Sequence, residues 1–377
     1  MQIIKRKEKV GNVLFIIALA IELLIMMTDH SAITLPLRGR FAQLAFVLFG
    51  IKILTTNYTK KQWVWIIFLA LLGSVSYFTC DDEYFLRVAV MVVAAKDIDM
   101  KLTGRMILFG ALAGTTVIVI LSLTGVLGQA VDIRHYGRGV EEARWCLGFS
   151  HANNIHDMFW YLCGFFFLLY QRKCNWKHYM VLTLMNLLLF YFTVSRNGFV
   201  TAQLLIIGGA LLHYIPSLNQ KIILYLLSIA GVSACIFLTV FGGLCGIANP
   251  FIAFCNRFLT GRLEMIYEYA PVLKWTLFPP AQRILYVDNG FAILFSEYGI
   301  VIGILYICLI VALIFDLYQK QNGIGLAFLT TIVFVTFMET TFILNTSLLC
   351  NPMYFLLFNE WYQMDTKQQM RCASESV

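Results

Sequence analysis

The sequence predicts an all-α polytopic integral membrane protein, one membrane domain over residues 1–377 with about twelve transmembrane helices. Three observations carry the prediction. Of the 377 residues, 60% are apolar and only 13% are charged, whereas a soluble domain usually carries about a quarter charged residues. The apolar residues come in repeated runs near the roughly 20 needed to cross a hydrocarbon core of about 30 Å. The polar remainder collects in short connections and two long ones, at 128–152 and 246–287. A water-soluble enzyme is thereby excluded. So is a nucleic-acid partner, because no basic, aromatic-interleaved surface domain is present.

The first run, 12–28, follows the basic stretch Lys5, Arg6, Lys7 and Lys9, with no small-residue cleavage site behind it. It reads as an anchor rather than a signal peptide. Further runs lie at 39–56, 62–80, 84–95, 105–127, 153–170, 179–195, 198–215, 222–245, 288–315, 323–340 and 342–360. The fourth is short and carries Arg87, and only a tight turn near Thr340 separates the last two. Ten or eleven crossings are the alternatives.

Basic residues orient the chain, since cytoplasmic loops are enriched in Lys and Arg. With both termini in the cytoplasm, the inner segments hold mostly lysine, from Lys5 through Lys52, Lys60, Lys96, Lys101, Lys173 and Lys221 to Lys320 and Lys367. The outer segments hold Arg38, Arg40, Arg87, Arg134, Arg138, Arg144, Arg196, Arg257, Arg262, Lys274 and Arg283. Lysine is the usual solvated topology marker. Arginine presents a fixed fork of donors that suits phosphate and carboxylate. The outer arginines therefore read as ligand-binding groups, with snorkelling to the interface as the bland alternative.

In the first long loop, VDIRHYGRGVEEARWCLGFSHANN sets Arg134, His135, Arg138 and Arg144 among Tyr136, Gly137, Gly139 and Trp145. Arginines beside glycines can converge on a diphosphate, and the aromatics can stack on a sugar or sit in the interfacial belt. The loop runs into Asn153, His156, Asp157 and Trp160, which share one face at the helical period. An ionisable group in a span is functional by default. The alternative is a local His156–Asp157 pair at the helix mouth, with Asn153 as its cap.

Between the seventh and eighth runs, Ser195-Arg196-Asn197-Gly198 forms a tight turn that can offer its guanidinium to an anion beside a helix N-terminus, or else snorkel. The second long loop contains NRFLTGRLEMIYEYAPVLKWTLFPP and ends in DNGF. Its stretch 261–269 predicts a short amphipathic surface helix with Arg262, Glu264 and Glu268 polar and Leu263, Ile266 and Tyr267 apolar. Asp288 stands where an N-cap of the tenth span belongs. Glu297 then falls roughly 13 Å into the membrane, where it needs a partner, and Arg87 and Arg196 are the candidates. Glu339 is a weaker case of the same kind.

The ten cysteines form no CxxC pair and no Cys/His cluster. No phosphate loop, zinc helix or nucleophile elbow is present. No metal and no cofactor is expected. The run Asp81-Asp82-Glu83 reads as a short solvated loop rather than a cation site.

Taken in order, LGFSHANNIHD, TVSRNG, and NRFLTGRLEMIYEY followed by DNGFAILFSEYGI resemble segments of the Wzy-type polysaccharide polymerases of O-antigen, capsule and exopolysaccharide assembly. The resemblance covers mainly Arg134 to Gly299, and Met1 to Gly128 matches only in hydropathy. Ala152 stands where that family often has proline, and Asn197 where it often has threonine. The resemblance implies a fold related to the GT-C glycosyltransferases in the bacterial cytoplasmic membrane. It implies an undecaprenyl-diphosphate-linked glycan as donor, a lipid-linked repeat unit as acceptor, and a flippase and a chain-length regulator as protein partners. It places Arg134, Arg138, Arg144 and Arg196 on the diphosphate, with Arg262 as a further contact. His156 or His135 would act as general base, with Glu264 and Asp288 as carboxylate rivals. Two other readings stay open. An O-antigen ligase relative would move finished glycan to another acceptor, and a secondary transporter or flippase would line a vestibule with the same arginines.

Overall fold

The computed structural model describes residues 2–128, 130–135, 141–273, 275–280, 287–343 and 347–358, without the side chains of residues 2–8, 134 and 135. The chain is helical almost throughout. In order come α1 (Gln2–Asp29), α2 (Arg38–Thr55), α3 (Lys60–Cys80), α4 (Tyr84–Ala94) and α5 (Met100–Leu123). A hairpin of β1 (Val131–His135) and β2 (Glu141–Trp145) precedes α6 (Ala152–Tyr170), α7 (Trp176–Thr193), α8 (Arg196–Tyr214) and α9 (Ile222–Cys245). Then follow α10 (Pro250–Phe258), α11 (Arg262–Tyr269), α12 (Gly290–Glu297), α13 (Gly299–Gln319) and α14 (Gly323–Met338).

Among the described residues, five helices are long and apolar enough to cross a membrane: Lys9–Asp29, Lys60–Cys80, Met100–Leu123, Ile222–Ala248 and Gly299–Gln319. Tyr84–Ala94 and Gly323–Met338 are apolar but shorter. The molecule is a helical, membrane-embedded protein. Its helices pack as α1 along α2, α3 on α4, α5 on α6, and α8 among α6, α7 and α14. The hairpin, α10 and α11 sit at the end where α1, α5 and α7 finish and α6 and α8 begin, called here the loop face.

Three elements differ from the sequence expectation. The first long loop contains a hairpin whose register sets Asp132 opposite Arg144, and opposite charges across a strand pair are favourable. Trp145 lies against Phe192 at 5.4 Å between ring centres, which anchors the hairpin on the end of α7.

The tenth run is broken rather than continuous. Gly299 turns at φ +82, and a Cβ there would meet the Leu277 and Phe278 backbone at 2.7 Å. The amides freed by the break are taken up by returning chain, Ile300 N donating to the Thr276 carbonyl at 2.8 Å and Val301 N to that of Leu277 at 3.2 Å. α13 alone spans about 31 Å at 1.5 Å per residue, so Glu297 stands at its loop-face end rather than deep within a longer helix.

The last run is not one helix either. Leu348–Cys350 is a single 3-10 turn and residues 353–358 are helical, while residues 344–346 and 359–360 lie outside the described residues. Pro352 lacks the amide that would continue the turn. The segment is tied to α1 instead, Leu348 N donating to Glu22 Oε2 at 3.0 Å and Ser347 Oγ to the Glu22 carbonyl at 2.9 Å.

Glu22 also receives Arg87 at 2.8 Å, the two side chains being 0% and 3% exposed. Arg87, expected as a partner of Glu297, thus joins α4 to α1, with Glu83 a further 3.5 Å contact. Asp82 is buried and takes the Tyr84 amide at the start of α4, so the acidic run 81–83 is only partly the solvated loop expected.

Candidate functional site

Four segments meet at the loop face around Glu339, which follows the last residue of α14 in extended backbone. Its Oε1 accepts from Arg262 Nη2 at 2.9 Å, from Asn153 Nδ2 at 3.3 Å and from Asn197 Nδ2 at 3.3 Å. Each donor comes from one of the segments singled out in the sequence: the head of α6, the turn into α8, and α11.

Local chemistry sets each donor. α6 is capped by His151, whose Nδ1 accepts the Asn153 amide at 3.1 Å, so Asn153 is not the cap and its side chain is free to reach Glu339. α11 forms as expected, with Leu263 and Ile266 buried against α9. Its first amides are capped from α10, Asn256 Oδ1 accepting from Leu263 N at 3.0 Å and Glu264 N at 3.2 Å. That cap aims Arg262 at the end of α14, where its Nε donates to the Met338 carbonyl and its Nη1 to Thr260 Oγ1.

Beside this hub, Asp157 Oδ1 is buried with no hydrogen-bond partner among the described residues. Two buried carboxyls share one guanidinium, so they cannot both ionise without like-charge repulsion. Burial pushes the Glu339 carboxyl up to about 7, with the Arg262 guanidinium opposing the rise. A carboxyl with that titration point can exchange a proton near neutral pH.

His156 belongs to the same region but not to its surface. It is 0% exposed, with Nε2 at 2.7 Å from Asn186 Oδ1 and Nδ1 at 3.1 Å from Thr193 Oγ1. Asn186 gives both its amide hydrogens to the Phe199 carbonyl and Gln203 Oε1. Its Oδ1 must therefore accept from His156 Nε2–H, while the Thr193 hydroxyl donates to the Leu189 carbonyl at 2.8 Å and stands 3.1 Å from Nδ1. Gly198 packs against this ring, since a Cβ there would meet His156 Cβ and Cγ at 2.8 Å. The histidine expected as a base is a buried tie among α6, α7 and α8. Its helical neighbour Trp160 likewise ties α6 to α14, donating from Nε1 to Thr331 Oγ1 at 3.0 Å.

The other expected residues divide. Arg196 opens α8, is exposed, and has no hydrogen-bond or ion-pair partner among the described residues. Arg262 and Asp288 are brought within 4.0 Å, with the Asp288 side chain 51% exposed. Asp288 is not the cap of α12: Asn289 is, its Oδ1 accepting from Ala292 N at 2.8 Å. Glu264 takes the Asn256 amide at 3.3 Å. Arg144 is buried in the hairpin and held by Glu142, Nε at 3.0 Å and Nη2 at 2.6 Å, an internal pair rather than an open anion site. Arg138 lies outside the described residues, as do the side chains of Arg134 and His135, whose backbone forms β1.

Among the described residues no group of three or more His, Cys, Asp and Glu could hold a metal ion. The hub itself was underweighted in the sequence. The available signal was Glu339 at the break between two apolar runs, where an acidic residue needs cations or amides around it. No protein-family model, curated protein or solved structure matches the chain.

Proposed function

We propose that this chain is a membrane-embedded glycosyltransferase of the Wzy-type polymerase kind, joining undecaprenyl-diphosphate-linked repeat units into a surface polysaccharide. The observation that carries the reading is the convergence of Asn153, Asn197 and Arg262 on Glu339 Oε1, with the exposed Arg196 next to Asn197. Three of the segments that carry the resemblance each supply one of these donors. In this reading the acceptor hydroxyl attacks the anomeric carbon of the donor sugar. A new carbon–oxygen bond forms, the bond from that carbon to the diphosphate breaks, and undecaprenyl diphosphate leaves.

Arg196 and Arg262 stabilise the charge that develops on the diphosphate, a role in which fixed donors in a water-poor site are strongest. Glu339 takes the proton of the attacking hydroxyl, with Asp288 at the rim as its neighbour. The loop face would be extracytoplasmic, because the lysine-rich connections lie at the opposite end. Both termini would be cytoplasmic in the bacterial inner membrane. A GT-C-like arrangement of about twelve crossings goes with this orientation.

One feature favours transport instead: the break between α12 and α13, since discontinuous helices mark transporter sites. Its freed amides, however, are already satisfied by the Thr276 and Leu277 carbonyls, so the break offers no open site. The test is deletion of the gene in its source bacterium, with glycans read by gel ladder and mass spectrometry. Single repeat units without longer chains support polymerisation. Full-length polymer retained on the lipid carrier points to a ligase, and unchanged glycans remove both.

A further inference from the structure

Beside the hub lies a cavity of about 600 Å³ between the α1–α2 connection, the head of α6 and the chain after α14. That volume falls within the roughly 300–1,000 Å³ of sites that take small molecules. Its wall is polar: Asp29, Arg38, Asn154, and the hydroxyls of Thr34, Thr340 and Thr341. Asp29 and Arg38 are ion-paired, with the carboxylate 8% and the guanidinium 40% exposed. Their charges cancel, so the cavity favours neither an anion nor a cation. What it offers is a mixed set of donors and acceptors: carboxylate oxygens, guanidinium and amide hydrogens, and hydroxyls that serve as both. An uncharged polyhydroxyl ligand matches such a set.

The cavity shares a wall with the hub. Asn153 reaches Glu339 while the next residue, Asn154, lines the cavity, donating to Ser150 Oγ at 2.8 Å. Glu339 receives the hub donors while the next residues, Thr340 and Thr341, line the cavity. Glu339 and Arg262 do not themselves line the cavity; the chain neighbours Asn154, Thr340 and Thr341 connect the two. We infer that this cavity binds uncharged sugar residues of the acceptor glycan and delivers a hydroxyl toward Glu339. The inference rests on the glycosyltransferase reading above.

A benzophenone amino acid placed at Thr34, and in a second protein at Asp288, tests it in membranes of glycan-producing cells fed tritiated glucosamine and galactose. After illumination, tritium should travel with the protein labelled from position 34. Combining Asp29→Asn with Arg38→Gln should lower that label roughly tenfold, as expected when a charged hydrogen-bonding pair is lost, while capture from position 288 persists and reports an intact fold. Cells blocked in lipid-linked glycan assembly should show no capture at 34. Capture at 288 but not at 34, capture at 34 indifferent to the paired substitutions, or capture at 34 in blocked cells, where only free sugars remain, would overturn the inference and leave the polymerase reading standing. Absence of label at both positions would overturn both.

Discussion

The Arg262–Glu339 pair gives the sharpest prediction, because each partner's alternatives are visible. The side chains are 13% and 10% exposed and 2.9 Å apart. Removing one partner of a buried pair costs about 3–5 kcal/mol, because the other is left charged and unpaired. Arg262→Met should cost less here. Asn153 and Asn197 go on donating to Glu339 Oε1, and a carboxyl already raised toward neutrality can take up a proton instead of staying charged. About 2–3 kcal/mol is the expected loss. Glu339→Gln leaves Arg262 its bonds to the Met338 carbonyl and Thr260, so about 1–2 kcal/mol is expected. The double variant should lose less than the sum, by about 1–2 kcal/mol, since the residues are in contact. Denaturant unfolding of the purified protein in detergent, run as a double-mutant cycle, measures this. Additivity within about 0.5 kcal/mol would refute the argument that these two groups organise the site.

Arg196→Lys, at an exposed position, should leave protein level unchanged but cut polymer formation by about 10²-fold or more, the scale for loss of one transition-state donor; Arg144→Gln should instead lower protein level, and both are read by gel ladder against immunoblot. Gly198→Ala should destabilise by about 1–3 kcal/mol through overpacking on His156, and His156→Ala in the same chain should recover part of the loss in thermal unfolding. With Glu339 as base, the rate should rise as pH approaches about 7 and then level off, because only the ionised carboxyl accepts a proton. The stability contribution of Glu339 runs the other way: its folded pKa lies above the ordinary 4.5, so the contribution is present below that value and is lost as pH rises through about 7. Rate and unfolding profiles that move together with pH would contradict this assignment.

Much of the helical layout was legible because hydropathy in runs of about 20 residues reports burial in lipid directly. The amphipathic α11 was legible for the same reason, on the spacing of Leu263 and Ile266. What hydropathy does not register is backbone geometry: the turn at Gly299 and the interruption at Pro352 both fall inside apolar sequence. The cap of α12 was displaced by one position because Asp288 and Asn289 are both good cappers, and only the fold puts Asn289 Oδ1 at the Ala292 amide. His156 looked like a base because histidine titrates near neutral pH and an ionisable group in a span is functional by default. Its partners Asn186 and Thr193 come from another helix, and nothing local in the sequence reveals them. Glu339 was hard to see for the converse reason. Its neighbours on the chain are Met338 and two threonines, while its donors arrive from positions 153, 197 and 262.

In the proposed function this chain itself joins lipid-linked repeat units. Purified protein reconstituted in liposomes with single repeat units on undecaprenyl diphosphate, extracted from the deletion strain, tests it most directly. A ladder of longer glycans still on lipid is expected, with release of free undecaprenyl diphosphate in step with each linkage and loss of both on Arg262→Met. Repeat units that stay single in the presence of folded protein would contradict it.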